Sequence, residues 1–292
     1  MTKSDFLKMT GNGPVILDGA MGTNLFLRGM PRRVCPELWI TEHPEVVIEL
    51  QREYVEAGSD ILYAPTFGAN RGRLKEYGLE GKLPEMNREL VGISRKAAGG
   101  KALVAGDLSP SGLMLESAGG EAEREDVFPI FEEQAKVLEE AGVDLYVIET
   151  MMSAEEIMIA AEAVLSVTKS PVMCTMTVDE GGRGLFGGTV FTAAKELEEI
   201  GVSAVGINCC AGPDKLKGII EKIADSVTIP VIAKPNAGTP VIDKYGTAHY
   251  DMSPDVFVQH MRTLRSAGAG ILGGCCGTTP DYIRGLKRMT EE

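Results

Sequence analysis

Apolar and polar positions along this chain fall into one repeated phrase. A segment with helical spacing closes on a small or apolar residue and a glycine, two or three residues follow, and a short apolar run begins. The phrase reads Ala57-Gly58-Ser59-Asp60-Ile61, Ala141-Gly142-Val143-Asp144-Leu145, Ile200-Gly201-Val202-Ser203-Ala204 and Ala267-Gly268-Ala269-Gly270-Ile271. Each glycine suits the left-handed residue that ends a helix. Each apolar run lacks alternation, the mark of a strand buried on both faces of a parallel sheet. Val47, Leu50, Tyr54 and Ala57 fall at spacings of three and four ahead of the first glycine, and Val127, Ile130 and Phe131 do so further on. Such stripes predict helices packed on a core.

Four further apolar runs, Val15 to Asp18, Ala102 to Asp107, Pro171 to Met176 and Ile229 to Lys234, bring the predicted strands to eight. Eight βα units in 292 residues predict an α/β fold of the (β/α)₈ TIM-barrel class, as a single domain over 1–292. A doubly wound open sheet is the competing architecture. It would carry a glycine-rich phosphate loop after the first strand, and Asp18-Gly19-Ala20-Met21-Gly22-Thr23 lacks the required third glycine. No stretch rich in Pro, Ser or Gly marks a linker.

The polar residues then acquire a position. Seven and eight residues beyond the repeat glycines stand Pro65 and Thr66, Glu149 and Thr150, Asn208 and Cys209, and Cys275 and Cys276. A constant offset predicts one height on four strands, at the carboxyl ends where barrels build their sites. Asp18 ends the first predicted strand, Asp107 the third, and Asn236 follows the seventh by two residues.

The net charge of −13 argues against a nucleic-acid or anionic-membrane surface. No run approaches the roughly 18 apolar residues of a membrane span, and the first ten residues lack a signal-peptide core. A cytoplasmic protein is expected. In that reducing compartment the six cysteines read as ligands or nucleophiles rather than disulfides. Cys35 and Cys174 stand alone and read as buried, inert thiols. Cys209, Cys275 and Cys276 come from the ends of strands six and eight, with only strand seven between them. Three thiolates at one point are ordinary zinc chemistry with the fourth position left open. Gly273, Gly274 and Gly277 are expected to let the adjacent thiols turn toward one ion. Cys210 should point away from Cys209 along an extended segment and is given no ligand role. His43, His249 and His260 are scattered, and none lies at a predicted strand end.

These residues resemble the homocysteine S-methyltransferase family, and within it the homocysteine-binding module of cobalamin-dependent methionine synthase. The similarity is carried by Asp18-Gly19-Ala20-Met21-Gly22-Thr23, Thr66-Phe67-Gly68-Ala69-Asn70, Gly106-Asp107-Leu108-Ser109-Pro110-Ser111-Gly112, Glu149-Thr150, Gly206-Ile207-Asn208-Cys209, Pro235-Asn236-Ala237-Gly238 and Gly273-Gly274-Cys275-Cys276-Gly277-Thr278-Thr279-Pro280. The resemblance implies Zn²⁺ on Cys209, Cys275 and Cys276. It also implies a substrate ammonium at Asp18 and Glu149, and a substrate carboxylate at the backbone of Gly19, Ala20 and Met21. Asn208 and Asn236 would order the loops or the substrate. The implied activity is zinc-dependent methyl transfer to the thiol of homocysteine, forming methionine. A methylated corrinoid, methylcobalamin free or on a separate protein or cobalamin module, is the implied donor. Betaine or S-methylmethionine is the small-molecule alternative, and a non-catalytic homocysteine or zinc carrier the alternative outside enzymes. A zinc hydrolase is disfavoured, because three thiolates make zinc a poor acid and no His/Glu base stands beside them. The chain is then either a piece of a larger synthase or a separate enzyme. It departs from the family pattern at Pro65, where Asn is usual, and at Lys234, where an acidic residue is common.

Overall fold

The computed structural model describes residues 1–244 and 248–292. Eight parallel strands form the sheet: β1 (Val15–Ile16), β2 (Ile61–Tyr63), β3 (Leu103–Leu108), β4 (Leu145–Met151), β5 (Val172–Met176), β6 (Ala204–Asn208), β7 (Val231–Lys234) and β8 (Ala269–Leu272). Neighbours follow chain order from β2 to β7, then β8, then β1. A parallel bridge between Leu17 and Ile61 joins β1 to β2, backed by the Asp60 N–H donating to the Ile16 carbonyl at 2.7 Å. The sheet is therefore a barrel, and the chain has the (β/α)₈ architecture. All four repeat glycines hold left-handed backbone, with φ of 104° at Gly58, 76° at Gly142, 93° at Gly201 and 111° at Gly268. A side chain there would carry the strain of that region, which glycine escapes.

Strand alternation sorts the side chains into an inner and an outer set. Inward come Val15, Leu17, Ile61, Tyr63, Ala105, Leu145, Val147, Met173, Ala204, Ile232 and Ile271, which pack together. Phe6, fully buried on the helix Lys3–Gly11, joins this set and plugs the barrel. The outer set, including Ile16, Leu62, Val104, Tyr146, Ile148, Val205 and Ala233, packs under the surrounding helices. Val47, Leu50, Tyr54 and Ala57 are buried on the helix Pro44–Ala57, and Val127, Ile130 and Phe131 on Arg124–Ala141. Burial of each such large apolar side chain contributes about 1.5–3 kcal/mol.

The differences from the sequence expectation lie near the carboxyl ends. β4 does not stop at Glu149 but continues to Met151, with an irregularity in its pairing to β5 between Ile148 and Met151. Thr150 within it has φ 61°. This is a bulge, which breaks strict alternation and re-aims side chains. The segment after β1 builds two short helices, Gly22–Leu27 and Pro36–Glu42, whose apolar residues form a separate cluster beside the mouth. After β7 stands a small antiparallel pair, Val241–Ile242 with Ala248–His249, where the apolar pattern predicts no strand.

Candidate metal centre and the cavity around it

Cys209 follows β6 directly, while Cys275 and Cys276 lie in the turn after β8. Backbone hydrogen bonds tie both segments to the end of β7. The Cys209 N–H donates to the Lys234 carbonyl (3.2 Å), the Cys275 N–H to the Pro235 carbonyl (2.7 Å), and the Ala237 N–H to the Cys276 carbonyl (2.9 Å). The result is a trio of half-buried thiols whose sulfurs lie within 4.8 Å of one another. The Sγ atoms of Cys209 and Cys276 are 3.7 Å apart. A tetrahedral ion bonded at about 2.3 Å to each sulfur spaces its ligands by about 3.8 Å, so the trio fits zinc. Every cysteine is free of disulfide bonding.

The glycines beside the trio act differently from the expectation. Only Gly277 has a positive φ, 82°. Gly273 and Gly274 are needed for close approach instead. A Cβ on Gly273 would sit 2.8 Å from Leu17 Cβ and 3.1 Å from the Asp18 carbonyl, and one on Gly274 would sit 2.5 Å from Thr278 Cγ2. The unusual backbone belongs to a ligand candidate itself, since Cys209 has φ 53°. Such a conformation costs on the order of 1–3 kcal/mol and is held by its surroundings. The three thiols hydrogen-bond to one another. Hydrogen bonds from Cys209 and then Cys275 hold the Cys276 thiol down at about 3, while sharing with both neighbours pushes Cys209 up. Tyr250, from the segment between β7 and β8, adds a hydrogen bond to Cys276.

Cys210 lies outside the trio. Its buried sulfur meets the Val178 N–H at 3.3 Å and the Asn208 carbonyl at 3.2 Å. Cys35 and Cys174 are buried, and burial raises both thiols, Cys35 to about 11.

A cavity of about 290 Å³ opens beside the trio, walled by Met21, Leu25, Phe26, Met30, Ile40 and Phe67 among others. Its polar wall is continuous with the barrel interior. The alternation that points Ile232 inward does the same to Lys234, Ala105 is followed by Asp107, and Val147 by Glu149. The uppermost interior layer is thus polar, above apolar layers. Asp18, Asp107, Glu149 and Lys234 all line the cavity and are at most 8% exposed. The Lys234 Nζ is 3.6 Å from Asp18 Oδ1, an ion pair too long for a hydrogen bond, and lies 4.9 Å from the centre of the Tyr63 ring. Asp18 Oδ2 accepts from the Tyr63 N–H at 2.9 Å.

Burial dominates the ionisation here. It raises Asp18 to about 6 against the pull of Lys234, and Glu149 to about 8. It drives Asp107 well above the carboxylate range, with Glu149 adding to the effect. Burial also works against the charge of Lys234, but Glu149, Asp18, Cys275 and Asp107 overcome it and hold the ammonium above the usual lysine range. Asp18 Oδ1, Asp107 Oδ1, the Tyr63 hydroxyl and Asn236 Oδ1 are buried without hydrogen-bond partners.

Of the residues singled out in the sequence, Asp18, Gly19, Ala20, Met21, Glu149 and the three cysteines line this one cavity. Asn208 and Asn236 do not. The Asn208 amide is committed beneath the cavity: Nδ2 donates to Glu149 Oε2 (3.0 Å) and Thr150 Oγ1 (2.7 Å), and Oδ1 accepts from the Thr150 N–H (2.8 Å) and Thr175 Oγ1 (2.9 Å). It braces the β4 bulge and fixes the Glu149 carboxyl. The Ala20 N–H is likewise taken, by Thr278 Oγ1 at 3.1 Å. Tyr63, Asp107, Lys234 and Tyr250 complete the site. The period-two rule points to the first three; nothing local in the sequence points to Tyr250.

Fold and site together define a (β/α)₈ barrel with a three-thiol cluster at the carboxyl mouth that could hold a metal ion. The chain belongs to the homocysteine S-methyltransferase family, whose pattern matches residues 15–290. It is 30% identical over 304 residues to the methionine synthase of Mycobacterium leprae, across 96% of this chain and 24% of that protein. The methionine synthase of Mycobacterium tuberculosis is 29% identical over 304 residues, across 96% of this chain and 25% of that one. The chain thus spans about a quarter of the length of these relatives. The crystal structure of the homocysteine methyltransferase MmuM from Escherichia coli, in its metallated form, superposes with a TM-score of 0.79. It shares 23% identity over 94% of this chain and 96% of that one.

Proposed function

We propose that this chain, acting as one barrel module over 1–292, transfers a methyl group to the thiol of homocysteine and forms methionine. The reading is carried by one observation: three free thiols whose sulfurs lie within 4.8 Å of one another stand at the wall of a cavity that also holds carboxyl groups. The family membership supports the same substrate. Zn²⁺ held by Cys209, Cys275 and Cys276 would supply a Lewis acid with a fourth position open to a substrate sulfur, lowering that sulfur's pKa.

The chain's own residues do the rest. The carbonyls of Lys234, at the end of β7, and of Pro235, just beyond it, set the height of the thiols through the backbone bonds described above. The apolar wall from Met21 to Ile40 excludes water from the sulfur and accepts the methylene groups of the substrate. Asp18 and Glu149 face the space for the amino group, and the stretch Gly19, Ala20 and Met21 faces the space for the carboxylate. Because the Ala20 N–H is engaged by Thr278, the amides of Gly19 and Met21 are the ones offered. Asn208 acts through Glu149 and not on the substrate, and Asn236 is buried outside the cavity lining. Free thiols and the absence of any described helix long and apolar enough to cross a membrane suit a cytoplasmic enzyme.

For the donor we propose a methylated corrinoid, delivered by a protein or module docked on the mouth. Exposed apolar side chains stand on four of the segments that follow strands: Phe26 and Leu27, Leu113 and Met114, Leu185, and Val241 and Ile242. A large apolar-rimmed partner fits that surface better than a small free donor does. The test is a methyl-transfer assay on zinc-loaded protein with homocysteine, offering methylcobalamin, betaine and S-methylmethionine separately. Methionine formed from methylcobalamin is expected. Methionine formed only from betaine or S-methylmethionine would replace the donor, and none from any donor would remove the enzyme reading.

A further inference from the structure

Lys234 is the one cationic side chain among the residues lining the cavity, and it is 3% exposed. It does not reach the site by accident of a loop. The strand alternation of β7 fixes it inside the barrel, and its neighbour across the ladder is Asn208, the residue that braces Glu149. Its ammonium lies 3.6 Å from Asp18 Oδ1 after β1 and 4.9 Å from the centre of the Tyr63 ring on β2, and Asp107 on β3 and Glu149 on β4 act on it electrostatically from the same cavity wall. A buried ammonium without counter-charges is untenable, and this one is placed where three carboxyl groups converge. The same three carboxyl groups are the feature of the cavity that would otherwise draw in the amino group of an amino-acid substrate.

We infer that Lys234 is a specificity-determining residue. Its side-chain ammonium stands in the acidic niche where a substrate's amino group would be received, so the cavity accepts carboxylated thiols whether or not they carry an α-amine. The inference rests on the reading of the site as a thiol-binding centre and widens its substrate class beyond α-amino thiols. A second cation entering the niche meets a resident one at close range, which offsets what it gains from the carboxyl groups. What remains for recognition is the sulfur, the hydrocarbon body against the apolar wall, and the carboxylate.

The experiment compares homocysteine with 4-mercaptobutyric acid, which keeps the chain length and the carboxylate and lacks the amine. Each is titrated calorimetrically into zinc-loaded wild-type protein and into Lys234→Gln and Lys234→Met. Taking the ratio of the two affinities within each protein cancels any loss of properly folded fraction. The wild type is expected to prefer homocysteine by less than about tenfold, and the variants to raise that preference by at least about tenfold, one factor of ten being some 1.4 kcal/mol. A wild type that already prefers homocysteine by more than this, or variants whose ratio does not rise, overturns the inference; the wild-type ratio decides the matter even if both variants misfold. Failure of the zinc-loaded wild type to bind either thiol overturns both this inference and the proposed function. Binding of both thiols without methyl transfer from any donor overturns the enzymatic reading alone.

Discussion

Glu149 is where the structure makes its most quantitative demand. Its carboxyl is buried, accepts from Asn208 Nδ2 at 3.0 Å, and is raised to about 8 by burial. In the unfolded chain it titrates near 4.5. The folded pKa lies above the unfolded one, so the stabilising effect of the bound proton is full below the unfolded value. It is lost as pH rises toward and through the folded value. Glu149→Gln keeps the shape and an acceptor for Asn208 but never ionises. Relative to wild type the variant should gain about 1 kcal/mol at pH 5.5, about 3 kcal/mol at pH 7 and about 4 kcal/mol at pH 8, with no difference near pH 4. On a barrel of this size a gain of about 3 kcal/mol corresponds to a rise of roughly 6–12 °C in Tm. The assay is urea denaturation of both proteins at those pH values, with a chelator present so that metal does not weight the folded state. A variant less stable than wild type at pH 7, or a difference that does not change between pH 4 and 8, would refute the argument that Glu149 is held protonated by its surroundings.

Three further outcomes follow from the same geometry. Cys275→Ala and Cys209→Ala should each reduce bound zinc to near background by elemental analysis after dialysis, while Cys210→Ala retains it; full occupancy in Cys275→Ala would remove that residue from the ligand set. Gly206→Ala puts a Cβ against the Ile232 carbonyl, between the two strands that position Cys209, and should cost about 3 kcal/mol or more of unfolding free energy; a loss below about 1 kcal/mol would show that the β6–β7 contact is looser than described. Chelation of the metal should leave the far-UV circular dichroism unchanged, because all eight strands and their core form without the thiols; collapse of that signal would mean the metal holds the barrel together, as it does in small zinc domains.

Much of this molecule is legible before any coordinates. The glycine-closed phrase recurs because every βα unit must end a helix and start a doubly buried strand, and the structure returns left-handed backbone at all four of its glycines. The constant offset from those glycines brings Glu149 and the cysteines to one cavity. It misplaces Asn208, because the offset gives height and not hydrogen-bond partners. Asn208 and Glu149 both follow the inward alternation of their strands, but the Asn208 amide is taken up by Glu149, Thr150 and Thr175 while the Glu149 carboxyl lines the cavity. Lys234 reads in the sequence as a departure from a family pattern. Counting by twos from Ile232 shows what the departure does, since the residue must enter the barrel. The left-handed Cys209 and the contribution of Tyr250 are set by contacts between segments far apart in the chain, and no local pattern encodes them.

The end of β7 serves two purposes at once, and this explains why the cysteine turn needs its glycines. The turn after β8 is stitched on both sides: the Gly273 N–H donates to the Ala233 carbonyl at 3.1 Å, the Gly274 N–H to the Asp18 carbonyl at 3.3 Å, and the Cys275 N–H to the Pro235 carbonyl at 2.7 Å. A turn drawn in on both flanks has no room for Cβ atoms at Gly273 or Gly274. The same strand end offers the Lys234 carbonyl to Cys209 and the Lys234 ammonium to Asp18. Metal centre and acidic niche therefore share one backbone support. A shift of β7 that spread the sulfurs would also draw the ammonium away from Asp18 and leave buried charges less well compensated, at a cost of several kcal/mol. The charge cluster and the thiol geometry are in this way supported by a single strand.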